Sequence, residues 1–382
     1  MKVLVTDGDQ KHALAAVRAL GRANVYVCAG ATTERALSFL SRHCQQKVVY
    51  PDPTKSEKGF VQFLNEYTRR EKIDVFLPLG YDANVVTSKY KATISKCVHV
   101  AIADYDQMLI ASDKARTTVL AESMGLKVPK TYNTIEQIEN YPVVVKGRKG
   151  TGSVKYVNSP EELRGLELCN VIIQEYIPGE GYGFYGLFCH GKPRAIFMHK
   201  RRRQFPITGG ASTAAESYYD ERLKEQGIRL LGELIWHGVA MVEMKRDERD
   251  GEYKLMEINP KFWGSLDLSI QAGVNFPYLA AKMALHGDVD PVMEYDRKTK
   301  FCWPFPQDLL HLFARPRSGW QIFADLFDPN MKTNISWQDI RPNLYLIGVT
   351  PLVIMNRVIR GRLCFPQGKP RLHRDNYRLS HS

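Results

Sequence analysis

The sequence predicts an α/β fold in more than one domain, and three observations carry that reading. Short apolar strands alternate with helical segments over residues 1–110, a pattern that implies a parallel sheet. Further strands follow, some with charged residues set into apolar runs, and there is no internal repeat or low-complexity linker. The length, 382 residues, exceeds what one ordinary domain needs.

Taken in order, Val3-Leu4-Val5 is the first strand and Thr6-Asp7-Gly8-Asp9 a turn. Residues 13–20 have helical apolar spacing that stops at Gly21. Strands at Val25-Tyr26-Val27-Cys28, Val48-Val49-Tyr50 and Val75-Phe76-Leu77-Pro78 follow, with helical segments at 33–41 and 59–70. Residues 1–110 therefore read as a Rossmann-like domain. Its first turn holds one glycine, so NAD is not expected. A helix opens near Ser112-Asp113-Lys114, with Ser112 or Asp113 as N-cap, and closes at Gly125 and Pro129. Strands are expected at 143–146, 171–175, 239–244 and 253–259.

From Phe301 the chain becomes aromatic: Trp303, Phe305, Phe313, Trp320, Phe323, Phe327 and Trp337. Such residues are expected to pack on a core. Residues 344–355 are apolar but broken by Gly348 and Pro351, and too short to span a bilayer. They are expected to pack on those aromatic residues. The tail beyond, with Arg357, Arg360, Arg362, Lys369, Arg371, Arg374 and Arg378, would then stay solvated. The competing expectation is peripheral contact with an anionic membrane, which would set the protein beside a lipid-linked or envelope-precursor substrate.

Hydrophobic residues make up 44% and charged residues 25%, an ordinary globular balance that excludes disordered and fibrous classes. The seven cysteines are scattered and none has CxxC spacing. That argues against a disulfide framework or zinc site and for a reducing compartment. No signal-like stretch opens the chain and no uninterrupted apolar run is long enough to cross a bilayer, so a cytoplasmic location is expected. The net charge of +12 points to anionic partners.

Three segments carry chemistry. In Val143-Val144-Val145-Lys146-Gly147-Arg148-Lys149-Gly150-Thr151-Gly152-Ser153 an apolar strand ends in a lysine before a glycine-rich loop. Glycines let backbone N–H groups approach phosphate oxygens, and Lys146 adds a point charge. In Val171-Ile172-Ile173-Gln174-Glu175-Tyr176-Ile177-Pro178-Gly179-Glu180 a strand exits into a break whose main chain could meet an adenine, with Glu180 near the ribose. The strongest segment pairs residues 239–243 with 253–260. A three-residue loop, Arg249-Asp250-Gly251 with Gly251 left-handed, sets Glu243 opposite Glu257 and puts Asn259 on the same face. Two adjacent carboxylates repel, and a divalent cation relieves the repulsion; an all-oxygen set of few ligands suits Mg²⁺.

These segments, in this order, resemble the ATP-grasp superfamily, over residues 1–300. The resemblance implies a preATP-grasp domain (1–110), an ATP-grasp domain (111–300) with a mobile lobe near 118–176, and a C-terminal extension (301–382). Carried over, Lys114 and Lys146 resemble the lysines on the nucleotide phosphates, and Gly150, Thr151, Gly152 and Ser153 the flap over the triphosphate. Glu175 and Ile177 resemble the adenine hinge, and Glu180 the ribose contact. Glu243, Glu257 and Asn259 match the metal-binding carboxylates and amide, for Mg²⁺ or Mn²⁺. Lys261 stands where many members carry arginine. Within the superfamily, residues 174–183, 199–212 and 256–266 resemble predicted ATP-dependent carboligases related to carbamoyl phosphate synthetase. There Arg201 and Arg203 match basic positions that meet the transferring phosphate or the substrate carboxylate.

The resemblance implies an ATP- and Mg²⁺-dependent ligase that activates a carboxylate as an acyl phosphate and passes it to a nucleophile, an amine being expected. Bicarbonate as the acid, in a carboxylase or carbamoyl-phosphate-type reaction, is the alternative. A nucleic-acid-binding role is the remote one. It rests on the charge and on Lys200-Arg201-Arg202-Arg203, a run that lacks regularly interleaved aromatics.

Overall fold

The computed structural model describes residues 1–150 and 154–371. Thr151, Gly152, Ser153, Arg374 and Arg378 lie outside the described residues.

Four parallel strands open the chain: β1 (Lys2–Val5), β2 (Tyr26–Ala31), β3 (Gln46–Val49) and β4 (Val75–Leu77), in the order β3-β2-β1-β4. Parallel neighbours need crossover connections. The helix Lys11–Arg22 supplies one between β1 and β2, and Glu57–Arg70 lies in the connection from β3 to β4. The expected helix at 33–41 is a single 3₁₀ turn, Leu37–Leu40. Its apolar residues Leu37 and Phe39 fall within that one turn, which already buries both.

A small antiparallel sheet follows, in the order β5-β8-β6-β7: β5 (Thr131–Tyr132), β6 (Val143–Gly147), β7 (Val154–Val157) and β8 (Val171–Glu175). It has its own core of Val143, Val145, Val157, Leu163 and Ile173.

The large sheet has seven strands. They are β9 (Gly181–Cys189), β10 (Lys192–Phe205), β11 (Ala211–Ser217), β12 (Gly238–Arg246), β13 (Tyr253–Asn259), β14 (Lys300–Cys302) and β15 (Met331–Thr333). Their order is β13-β12-β9-β10-β11-β14-β15. One face packs Phe184, Met198 and Val242 against Leu230 and Leu231 of the helix Glu221–Glu233. From the other face Tyr185, Leu187 and Met241 join Val17, Leu20, Trp263 and Phe276 in one core that continues into the first sheet's helix. Only part of that face is covered, and the uncovered part forms the site described below.

Residues from 301 onward add β14 and β15 to the edge of the large sheet. One expectation about this region needs correction: Phe301 and Trp303 are buried, but Phe313, Trp320, Phe323, Phe327 and Trp337 are exposed. The reason is electrostatic. Buried charges and polar groups hold this region to the body: Arg203 with Asp308 and Asp325, and Arg18 with Asp339 and Asn343. Its apolar side chains are left to face outward. The segment around Pro351 is also one continuous helix, Ile340–Ile359, not a broken one. With its leading turn it runs from Trp337 to Ile359, 23 residues, long and apolar enough to cross a membrane by length and composition.

Candidate active site

Strand register builds the site. Glu257 on β13 pairs with Glu243 on β12, Glu243 with Gly183 on β9, and Gly183 with His199 on β10. One row across four strands thus puts both carboxylates and His199 on the uncovered face. The expected Glu243–Glu257 pairing is present, by a different route. The loop is longer than three residues, since β12 ends at Arg246 and β13 begins at Tyr253. A bulge between Glu243 and Met244 shifts the register by one residue and brings the two glutamates opposite each other. Gly251 is left-handed, at φ 71°.

Cations surround the pair. Lys114, at the start of the helix Lys114–Ser123, reaches Glu257 Oε2 at 3.0 Å and donates to the Gly150 carbonyl at 3.0 Å. Asp113 caps that helix by accepting from Ala115 N–H, and Arg148 beyond β6 binds Asp113 at 2.8 Å. The lysine is therefore held between helix and small sheet. Asn259 Nδ2 donates to Glu257 Oε1 at 2.8 Å. Burial pushes the Glu257 carboxyl up, but Lys114 and the Asn259 hydrogen bond outweigh it and hold the group below the usual carboxylate range. Arg201 binds Glu243 at 3.3 Å, Ser212 Oγ at 3.3 Å and Gln204 at 3.1 Å. Lys146, at the end of β6, is buried; that burial, with Lys114 adding to it and Glu257 opposing, lowers its pKa to about 8.

Lys114, Lys146, Gly150, Ile177, Glu180, Arg201, Glu243, Glu257, Asn259 and Lys261 line one cavity of about 610 Å³. Lys261 is half-buried there, and loss of solvent around its amine lowers its pKa, with Glu257 and Asp7 opposing. Glu180 also meets Lys200 at 2.7 Å. Two expected residues stand differently. Glu175 does not line the cavity: its carboxylate binds Arg249 at 2.9 Å and the Lys130 N–H at 2.9 Å, tying β8 to the β12–β13 hairpin. Arg203 reaches the wall of the cavity, but its guanidinium is engaged in a buried cluster with Asp308 at 2.7 Å and with Asp325. Irregular pairing of β10 with β11 on both sides of Arg203 breaks the alternation that would have aimed it beside Arg201. Lys200 and Arg202 are ion-paired as well, to Glu180 and to Glu216 and Asp325. The basic run is thus neutralised by its own fold, which removes the motive for a nucleic-acid site.

The structure adds residues that sequence reasoning missed. Lys245 lies two residues from Glu243 on the same strand face, donates to the Ile177 carbonyl and sits 5.1 Å from the Tyr176 ring centre. Burial and Arg201 push its pKa down to about 8. Its i+2 spacing from Glu243 was a usable signal. Tyr185 and His199, 2.6 Å apart, also line the cavity, as do His311, Arg315 and Gln367 from the C-terminal region. Burial and the neighbouring Arg201 push His199 well below its usual pKa, so its ring is neutral at pH 7. No local pattern announces these contacts, because they depend on which strands neighbour β9 and on a distant segment.

Residues 167–303, which hold Arg201, Glu243, Glu257 and Asn259, match the family model described as ATP-grasp in the biosynthetic pathway with Ter operon. The chain carries an ATP-grasp domain. A D-alanine–D-alanine ligase from Fusobacterium nucleatum is 37% identical over 75 residues. That match covers 19% of the chain and spans about a quarter (26%) of the relative. Among solved structures, an L-amino acid ligase from Bacillus licheniformis superimposes with a TM-score of 0.60 at 17% identity, covering 74% of each chain. The biotin carboxylase domain of the Hydrogenobacter thermophilus 2-oxoglutarate carboxylase, in complex with MgADP, ADP and bicarbonate, gives 0.60 at 14% identity over 78% of this chain and 73% of that one. These two share this chain's fold.

Proposed function

We propose that this ATP-grasp protein is an ADP-forming ligase that uses ATP and Mg²⁺ to couple a carboxylate to an amine. The observation that carries the reading is the opposed pair Glu243–Glu257, with Asn259 on the same cavity wall and Lys114, Lys146 and Arg201 around it. Those side chains fit the groups the fold implies. Two carboxylates and an amide carbonyl are a hard, oxygen-only donor set of the kind Mg²⁺ takes while keeping waters and phosphate oxygens. About 610 Å³ lies within the roughly 300–1,000 Å³ of small-molecule sites. Bound there, ATP supplies the phosphoryl group that converts a carboxylate to an acyl phosphate, and Mg²⁺ supplies positive charge to the phosphates.

The chain's own residues do the rest. Glu243, Glu257 and Asn259 hold the metal. Lys146 is buried at a cost to its charged form and gains most from a nearby anion, so it binds phosphate at the end of β6. Lys114 and Arg201 exchange their carboxylate partners for phosphate or substrate carboxylate. Cations fixed in place before the reaction stabilise charge that develops in transfer without reorganising. Ile177 and Tyr176 offer the adenine its wall. We place Arg203 outside this set, as an anchor of the C-terminal region. A small carboxylate and a small amine are the substrate classes this reading supports, in the cytoplasm.

ADP release should require Mg²⁺ and rise only when a suitable acid and amine are supplied together. Screening pairs of acids and amines for ADP tests this. ADP formed with bicarbonate as the sole acid, and unaffected by any amine, would sink the amine-ligase reading in favour of a carboxylase.

A further inference from the structure

The C-terminal region is built inside out. Among described residues 304–371 its buried side chains are mostly polar: Asp308, His311, Asp325, Asp339, Asn343 and Thr350. Its large apolar side chains face outward, Trp337 at 85% and Ile359 at 76% exposure among them, with Trp320, Phe327 and Leu352 alongside. In the helix running Trp337–Ile359 only 17% of the apolar window is buried. The Trp320, Phe323 and Phe327 rings touch one another, and exposed apolar side chains gathered in this way mark an interaction face.

Charge says what covers it. Residues 341–371 contain Arg341, Arg357, Arg360, Arg362, Lys369 and Arg371 and no Asp or Glu. Among the described residues none of these six is ion-paired to a carboxylate, whereas Lys200, Arg201, Arg202 and Arg203 all are. Exposed tryptophan and aliphatic side chains beside uncompensated arginines match an anionic lipid surface: the rings and chains enter the headgroup boundary and the guanidiniums meet the phosphates.

Both ends of the helix are tied to the body. At its start Arg18 binds Asp339 at 2.7 Å and Asn343 at 3.1 Å. Past its end Gln367 accepts from the Tyr156 N–H at 2.9 Å and from Thr208 at 3.1 Å, and the Arg371 N–H reaches Asn158 at 2.7 Å. A helix held to the folded body at its start and again just past its end lies along that body and does not thread a bilayer. We propose that the outward face of residues 319–362 docks the protein peripherally, with this helix in the membrane plane, on an anionic phospholipid bilayer. The docking stands apart from the ligase reading, since none of the outward residues lines the cavity. The same region does line the cavity through His311, Arg315 and Gln367, so a docked chain would hold its site close to the lipid surface.

The test is co-sedimentation of the full chain with vesicles of phosphatidylcholine alone and of phosphatidylcholine mixed with phosphatidylglycerol. Two variants serve as probes: R360E with R362E for charge, and W320S with W337S for insertion. All four side chains carry no ion pair among the described residues, and unchanged thermal midpoints would verify folding. Docking predicts sedimentation with the anionic vesicles, little with phosphatidylcholine, and at least a tenfold weaker partition for both variants. Protein left in the supernatant with anionic vesicles would overturn it, as would variants that partition like the parent. A concentration-dependent dimer abolished by W320S with W337S, without vesicle binding, would assign the face to a second copy. Protein that stays with vesicles through high salt and alkaline carbonate would assign the helix to a span; either result refutes peripheral docking.

Discussion

Arg203 separates an anchoring role from a catalytic one. Its guanidinium is buried and makes bonds of 2.8 and 2.7 Å to Asp308, with a further bond to Asp325. In Arg203→Met the two buried carboxylates lose that partner. Asp308 would keep the Thr213 hydroxyl at 2.9 Å, and Asp325 would keep Arg202 at 2.9 Å. Removing one partner of a buried ion pair costs about 3–5 kcal/mol, and these residual bonds point to the low end, about 3 kcal/mol. At 1.4 kcal/mol per tenfold, that raises the opened population of the region about 100-fold. Hydrogen exchange on the full chain should show it in the helices Leu309–Ala314 and Gly319–Asp325, while β12 and β13 exchange as in the parent. Arg201→Met is the counterpart, expected to lose ADP formation with exchange unchanged. An Arg203→Met protein with parental exchange and no ADP formation would refute the anchoring argument and return Arg203 to the reaction.

Lys146→Met should move stability and binding in opposite directions. Folding lowers this lysine's pKa from 10.5 to about 8, so burying its charge disfavours the folded chain below pH 8. Removing it should stabilise the ligand-free protein by about 1–3 kcal/mol and weaken ATP binding at least tenfold, read by thermal denaturation and calorimetry. A lower melting midpoint together with parental ATP affinity would contradict both halves. Asp247 governs acid stability. Burial pushes its carboxyl up, but Arg249 and Lys254 bring it down to about 2, below its unfolded value near 3.8. Its contribution, roughly 2 kcal/mol, is therefore present above pH 4 and lost as pH falls through 2. Urea midpoints of Asp247→Asn should be lower than the parent's above pH 4 and converge with them near pH 2; a constant gap across that window would count against the linkage.

The first sheet was legible because strands and helices alternate with clear periodicity, and the Glu243–Glu257 pair because side chains on facing strands follow a period of two. The same rule reached the glutamate pairing through a loop that is too short, with the bulge beside Glu243 making up the difference. Arg203 was set with Arg201 by the resemblance, and the irregular pairing of β10 with β11 turns it to Asp308 and Asp325 instead. Glu175 was read from the motif as a nucleotide contact, yet three cations or donors, Arg249, Lys254 and Lys130 N–H, lie around its carboxylate. The C-terminal region was misread for a different reason. Apolar residues predict burial only when something apolar is there to receive them. Here the attachment is made by Asp308, Asp325 and Asp339 to arginines far away in sequence, which leaves Trp320 and Trp337 outside. Tyr185 and His199 needed the strand order, and no local pattern contains it.

The central claim is that Glu243 and Glu257 hold a metal on which phosphoryl transfer depends. ADP formation by the parent and by Glu257→Gln, measured across a Mg²⁺ titration with acid and amine present, tests it most directly. Losing one charged ligand should cut turnover by 10²-fold or more, on the scale of removing one electrostatic stabiliser, and shift the half-saturating Mg²⁺ concentration upward. A Glu257→Gln protein that forms ADP at the parental rate, with the parental Mg²⁺ dependence, would contradict the account.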